Sequence, residues 1–461
     1  MPGPNIVLVV ADDMGYGDFG IFNDGLTETP HLDALADQGL VLTQHYAGSC
    51  VCAPSRAALL TGRYPHRTGA IDTREARGTD RLGLWETTLA ELLAAEGYAT
   101  GLVGKWHLGE LDERYLPQAR GFSEVCAFRG GWQDYWDWWL DYGDNWFRKS
   151  DGRYLTDVLT DEAVDFVQRH RAQPFFLYLA YNCPHGPLQA PEEEIARFVD
   201  RETINDAVAT LYGMIRRMDR GIGHLLETLE WLGLAENTIV LFTSDNGPQF
   251  GSELGSVQRH NSGFAGHKGN VYEGGIRVPM LVRWPGAFGV GRCDAMVHFC
   301  DWLPTLLALA GVEGASDLRL DGANVAPLLR GEEVDAPSRR FWQWNRYRPV
   351  ATCNAAMRDG DWKLVRPLIP DCMRTTPEDH EDDYNLRDRP GYLGEVVLRE
   401  PPQFDLPEPP PAELFNMADD AGEQRDLAGD QPERAARMED DLEAWFDEVD
   451  GERLAHGAPP G

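Results

Sequence analysis

The sequence predicts a layered α/β fold with a smaller C-terminal subdomain of short strands, and three observations lead there. Continuous apolar runs of strand length, Asn5 to Ala11, Tyr98 to Gly104, Pro174 to Tyr181 and Asn237 to Ser244, read as strands buried on both faces. Amphipathic stretches of helical period stand between them, which is the alternation of a layered fold. Beyond about Ser338 the runs shorten to Arg339 to Trp344, Ala351 to Arg358 and Trp362 to Arg366. The boundary is therefore placed between a main domain, 1–337, and a subdomain, 338–461.

In order along the chain, the β-branched run after Asn5 ends at Asp12-Asp13-Met14-Gly15, a turn. Thr29 to Gly39 has helical period and a terminal Gly, and a strand follows near Val41 to Tyr46. Ser55 to Leu60 continues a short helix with Pro54 suited to its first position and Gly62 to its end. Glu86 to Glu96 carries Leu89, Leu92 and Leu93 on one face. Leu155 to Arg171 has an acidic start and a basic end, as the helix dipole prefers. In the helix from about Asn205 to Leu232, Met214, Met218, Leu225 and Leu229 fall on one stripe, explained by core packing. Asp301 to Gly311, Val325 to Gly331 and Gln431 to Val449 complete the helices, and 367–411, rich in Pro and acidic residues, reads as loop.

Lys and Arg total 42 against 75 Asp and Glu, a formal charge of -33. Such a field repels nucleic acid and anionic membranes, so neither is expected as a partner, and basic groups at any anion site must overcome it locally. No apolar run approaches the ~18 residues that span a bilayer. The first apolar run lacks a basic flank and a small-residue cleavage site, so it reads as a core strand and not a signal peptide. The eight cysteines, at 50, 52, 126, 183, 293, 300, 353 and 372, lack metal-knuckle spacing, which suggests reduced thiols in a cytoplasmic setting. An exported form would carry a leader ahead of this sequence.

Several polar clusters sit where strands end. Asp12 and Asp13 repel each other unless solvated in a loop or neutralised by a cation. Cys52 lies at a predicted helix start, where free N–H groups favour an anion, beside the fixed cation Arg56; a lone Cys there is also an ordinary small core residue. Lys105 and His107 share one side if the strand stays extended, as a surface pair or as anion contacts. His185, in Asn182-Cys183-Pro184-His185-Gly186-Pro187, reads alone as a satisfied turn residue, and Asp245-Asn246-Gly247 adds hard oxygen donors after a strand. The tract Trp132 to Tyr142 has no clean period; Trp136, Trp138 and Trp139, interleaved with Asp, suit either sugar stacking or core packing. His260 and Asn261, in a Gly/Ser/Asn-rich loop from Gly251 to Gly266, are further substrate-contact candidates.

The strings Cys52-Ala53-Pro54-Ser55-Arg56 with Thr61-Gly62-Arg63, Gly104-Lys105-Trp106-His107-Leu108-Gly109, Pro184-His185-Gly186-Pro187 and Lys268-Gly269-Asn270-Val271-Tyr272-Glu273-Gly274-Gly275-Ile276-Arg277-Val278-Pro279 together resemble the type I sulfatases, the formylglycine-dependent branch of the alkaline phosphatase superfamily. Glu413 to Asp420 resembles their closing segment. The resemblance implies an alkaline phosphatase-like fold, a mixed, largely parallel sheet between helices followed by a small antiparallel sheet. It implies that Cys52 is oxidised by a formylglycine-generating enzyme and that the aldehyde hydrate is the nucleophile. It assigns Asp12, Asp13, Asp245 and Asn246, with residue 52, to a cation, Ca²⁺ in preference to Mg²⁺. Arg56, Lys105, His107, His185 and Lys268 become the sulfate and catalytic contacts, acting on a sulfated small molecule or glycan. Two alternatives share parts of this pattern: a formylglycine-dependent phosphonate monoester or phosphodiester hydrolase, and a non-catalytic binder of sulfated glycans.

Overall fold

The computed structural model describes residues 3–143, 146–199, 201, 204–250, 259–313, 318–333, 337–389 and 392–457. Ten strands form the main sheet: Asn5–Ala11 (β1), Leu40–Tyr46 (β2), Ala99–Lys105 (β3), Glu124–Phe128 (β4), Trp139–Asp141 (β5), Phe147–Lys149 (β6), Phe175–Ala180 (β7), Thr238–Ser244 (β8), Met280–Arg283 (β9) and Gly291–His298 (β10). Their order is β10-β2-β9-β8-β1-β7-β3-β4-β5-β6. The centre, β8-β1-β7-β3-β4, is parallel throughout, while β9 runs antiparallel to both β2 and β8. This is the mixed, largely parallel sheet expected from the resemblance.

Side chains of β1 alternate between two cores. Ile6, Leu8 and Val10 pack with Leu59, Leu60, Leu93, Leu303 and Leu306 on one face, and Val7 and Val9 with Leu35, Val158, Leu159, Met214 and Met218 on the other. Both faces being buried explains why the central strands read as continuous apolar runs. The stripe of Met214, Met218, Leu225 and Leu229 is buried core, as its spacing predicted. No helix among the described residues is long and apolar enough to cross a membrane. All eight cysteines carry free thiols.

A second sheet, Arg339–Gln343 (β11), Ala355–Asp359 (β12), Trp362–Arg366 (β13) and Glu413–Asn416 (β14), is antiparallel in the order β11-β12-β13-β14. Buried Lys363 ties it to the main domain through Glu273 Oε1 at 2.9 Å and also stands 2.7 Å from Glu423 Oε1 of its own subdomain. The expected loop at 367–411 is corrected in part: it contains the helix Pro377–Asp388. Its sequence, PEDHEDDYNLRD, is nearly devoid of an apolar period, so hydrophobic patterning missed it. The cap was legible: Thr376 accepts from the Asp379 N–H and Pro377 opens the first turn.

Candidate active site

The C-terminal ends of the parallel strands deliver the site, as open α/β sheets do with ligands. Asp12 and Asp13 follow β1, Lys105 ends β3, and Asp245 and Asn246 follow β8. Cys52 is the first residue of helix Cys52–Thr61, so Pro54 stands third rather than first; its missing N–H still falls among the groups a helix start leaves free. Ser55 Oγ donates to the Asp245 carbonyl at 2.6 Å and accepts from the Gly48 N–H, which pins this helix start to the β8 turn.

The strand does not continue through the Gly-Lys-x-His motif. His107 lies in left-handed backbone at φ 55°, and Gly104, at φ 107°, passes so close to β7 that a Cβ would stand 1.9 Å from the Ala180 carbonyl oxygen. Glycine is required there on both counts. Lys105 nevertheless turns inward: its Nζ is 2.8 Å from Asp12 Oδ2, with both side chains fully buried. Lys268 Nζ is 2.8 Å from Asp13 Oδ2, and His185 Nε2 is 3.7 Å from the same oxygen. Arg56 grips Asp245 Oδ2 through Nε at 2.9 Å and Nη2 at 2.7 Å. Cys52 Sγ reaches to 3.6 Å from Asp12 Oδ1.

Charge in this interior is tightly coupled. Burial pushes Asp12 up to about 7, with Lys105 opposing and Asp245 and Asp13 adding to the rise. Burial would also raise Asp13, but Lys268, His185 and Lys105 outweigh it and hold it below the carboxylate range. Burial pushes the Cys52 thiol up to about 12 against Lys105 and Lys268. His185 is lowered to about 3, by burial first and then by Lys268.

The residues fit a hard cation. Ligand atoms of Asp12, Asp13 and Asp245 lie within 4.8 Å of one another, all buried. Asn246 donates through Nδ2 to Asp13 at 2.8 Å, leaving its buried Oδ1 without a partner. Three carboxylates and an orphaned amide oxygen are the donor set of Ca²⁺ or Mg²⁺ rather than zinc. Cys52 and His185 also bring donor atoms within 4.8 Å of Asp12.

Above this floor opens a cavity of about 410 Å³, bordered by Cys52, His107, His185 and Lys268 below and by Glu75, Trp132, Arg346 and Tyr384 further out. A second cavity of about 490 Å³, beside Trp85, Tyr115 and Tyr347, holds none of the motif residues. Of the two readings left open for Trp136, Trp138 and Trp139, sugar stacking in the pocket is corrected, since none of them lines the cavity. Trp138 is buried in the core with its indole N–H on the Arg153 carbonyl, and Trp139 is buried with its N–H on the Arg387 carbonyl. Trp136 is exposed and packs on Tyr154 instead. Of that tract, among the described residues, Trp132 alone reaches the cavity. His260 and Asn261 do not line it: Asn261 Nδ2 closes its own loop on the Phe264 and Gly266 carbonyls, and the His260 N–H points to Tyr212. Residues 251–258 of the loop proposed there lie outside the described residues.

Sequence reasoning missed Glu75. Its Oε1 is 3.5 Å from His107 Nε2 and accepts from the Gly131 N–H. A Cβ on Gly131 would stand 2.7 Å from His107 Cε1 and 2.8 Å from Glu75 Oε1, so glycine keeps the pair in contact. Burial and Glu110 raise Glu75 well above the carboxylate range. His107 Nδ1 is buried without a partner. No local pattern around Glu75 marked it, because it reaches His107 from a loop more than thirty positions away.

Residues 4–312 match the family model described as Sulfatase. The chain belongs to the sulfatase family. Residues 264–381 of this sulfatase also match the model described as N-sulphoglucosamine sulphohydrolase, C-terminal. It is 38% identical to N-acetylgalactosamine-6-sulfatase of Homo sapiens over 365 residues, covering 72% of this chain and 67% of that protein. It is 32% identical to arylsulfatase A of Bos taurus over 461 residues, covering 91% of this chain and 84% of that one. Among solved structures it resembles Ps i-CgsB in complex with k-i-k-neocarrahexaose, with a TM-score of 0.78, 30% identity and coverage of 96% and 92%. The sulfatase is thus an enzyme that hydrolyses sulfate esters, and its two sheets are those of the family fold.

Proposed function

We propose that this sulfatase cleaves a sulfate monoester of a carbohydrate or aryl alcohol, with Cys52 converted to formylglycine by a generating enzyme and a divalent cation, Ca²⁺ by preference, held by Asp12, Asp13, Asp245 and Asn246. One observation carries the reading: Cys52 Sγ stands 3.6 Å from Asp12 Oδ1 where Lys105, Lys268 and His185 converge on the same carboxylate pair. When bound, the cation supplies charge that polarises a sulfate oxygen and favours an adjacent alkoxide. The hydrated aldehyde supplies two geminal hydroxyls, one to attack sulfur and one to let sulfate depart.

The chain's own residues do the rest. Lys105, Lys268 and Arg56 offset charge on the transferring sulfuryl group from fixed positions that need no reorganisation. Arg56 also orients Asp245, which accepts the attacking hydroxyl's proton. Lys268, held as a cation beside Asp13, is the proton donor in reach of the leaving alcohol; His185 Nδ1 is tied to the Gly186 carbonyl at 2.8 Å, so Nε2 faces the site and becomes a second donor only when the charge of bound sulfate protonates the ring. His107, its Nε2 side held by Glu75 and the Thr73 carbonyl, takes the proton from the remaining hydroxyl as sulfate leaves. The similar structure solved in complex with k-i-k-neocarrahexaose supports a sulfated sugar as substrate. Nothing in the family match favours the phosphonate monoester or phosphodiester alternative. Turnover of para-nitrophenyl sulfate against a phosphonate monoester and a phosphodiester of the same leaving group tests the reading. Sulfate-ester turnover should exceed both, and a preference for either phosphorus ester would overturn it.

A further inference from the structure

The outer half of the cavity is built by residues outside every sulfate-binding motif. Arg74 comes from the loop after the helix Pro65–Thr68, Trp132 from the loop after β4, Arg346 from the loop after β11, and Asp383 and Tyr384 from the helix Pro377–Asp388. Tyr384 is 52% exposed at this rim and its ring centroid lies 5.9 Å from that of Trp132. The Arg387 guanidinium lies over both rings, 3.9 Å from the Trp132 centroid and 4.5 Å from that of Tyr384, which fixes their mutual placement.

The two arginines that border the cavity are each paired with a carboxylate. Arg74 Nη1 is 2.7 Å from Asp383 Oδ2, and Arg346 Nη1 is 2.8 Å from the buried Asp72. The third basic group that borders the outer cavity, His380, is held below its ordinary value by partial burial and by Arg74 and Arg346, which disfavours its charged form. Each arginine that borders the outer cavity, among the described residues, therefore already has its carboxylate. A second sulfate or a uronate carboxylate placed here would lose hydration with no counter-charge in exchange, inside a chain of formal charge -33.

What the wall does offer suits an uncharged ring. Tyr384 and Trp132 give aromatic surface for the C–H face of a sugar. The Asp383–Arg74 pair sets acceptor and donor atoms side by side for neighbouring hydroxyls, and Arg74 Nε is buried without a partner. The whole cavity, about 410 Å³ including the sulfate end, is near the small limit of ligand sites and has room for one ring beside the sulfate.

We propose that the outer cavity is a subsite for a single, otherwise uncharged pyranose, so that the substrate is a monosulfated neutral sugar residue rather than a polysulfated or uronic-acid one. This rests on the sulfate-ester reading of the same cavity. Binding to the Ca²⁺-loaded protein with Cys52 unconverted separates the two, because no turnover is needed. Probes are galactose monosulfates covering each ring position, a galactose disulfate and para-nitrophenyl sulfate, followed by calorimetry. At least one monosulfate should bind about tenfold more tightly than the disulfate. Tyr384→Ala and Asp383→Asn, each verified as folded by circular dichroism, should each weaken that monosulfate about tenfold, and Asp383→Asn should lower the ratio of sugar to aryl affinity. Sugar binding with an intact subsite but no hydrolysis after conversion would sink the catalytic reading and leave the subsite standing. Equal or tighter binding of the disulfate, failure of every monosulfate to bind, or monosulfate affinity unmoved by both variants would overturn the subsite.

Discussion

Lys105 Nζ sits 2.8 Å from Asp12 Oδ2, and neither side chain reaches solvent. A buried pair of this kind cannot lose one member cheaply, since the other is left charged in a dry interior. The pair also joins the two tasks of the site, because Asp12 belongs to the candidate cation cage and Lys105 to the sulfate contacts. Lys105→Ala should lower kcat/KM for any sulfate ester by about 10²–10³, the loss expected when one preorganised charge donor is removed. Steady-state kinetics on two unrelated sulfate esters checks this, both falling by the same factor because sulfate is their common part.

Asp13→Ala should remove cation binding and activity together. Its carboxylate lies within 4.8 Å of the ligand atoms of Asp12 and Asp245 and bonds Asn246 and Lys268. A ligand that binds only the folded state raises its stability. Adding Ca²⁺ should therefore raise the Tm of the parent protein but not of Asp13→Ala, a readout independent of turnover. Full activity after exhaustive chelation would speak against the cation.

Much of this site was legible because its residues sit in short strings at strand ends. Asp12, Lys105, His185 and Asp245 each follow an apolar run of strand length, and the sheet brings four such ends to one place. The outer wall was not legible for the opposite reason. Arg74, Arg346 and Tyr384 come from three segments without apolar period, and only the packing of the small sheet's loops onto the main domain assembles them. Trp138 and Trp139 show the converse error: aromatic density in sequence marked core as readily as surface, and backbone carbonyls satisfy their indoles. Helix Pro377–Asp388 escaped because its stability comes from a cap and tertiary ion pairs such as Arg74–Asp383, not from an apolar face.

Glu75 should act on His107 by position and not by charge, since burial and Glu110 disfavour its ionised form. Glu75→Gln keeps the acceptor oxygen for the Gly131 N–H and should retain kcat within about threefold, whereas Glu75→Ala should lower kcat about 10- to 100-fold with little change in KM. An equal loss in both variants would mean that the carboxylate works ionised.

Asp80 is buried, accepts from the Gly109 N–H at 3.1 Å and is pushed up to about 7 by burial. Arg81 opposes the rise and Asp383 adds to it. Between its ordinary 3.8 and about 7 the folded state holds a proton that the unfolded state has released, so stability falls as pH rises through that window. Asp80→Asn removes this cost. Its Tm should match the parent near pH 4 and exceed it at pH 8, the gap from 3.8 to about 7 bounding the gain at about 4 kcal/mol. Thermal unfolding across pH 4 to 8 measures the difference.

The central claim is that residue 52 acts only after conversion, and peptide mass analysis paired with activity tests it most directly. Preparations made with and without a formylglycine-generating enzyme should differ at the Cys52 peptide by a loss of about 18 Da, as the thiol carbon becomes an aldehyde. Sulfate release per molecule should rise in proportion to the converted fraction and extrapolate to zero at none. Full sulfate-ester turnover by a homogeneous preparation that still carries the Cys52 thiol would contradict the account.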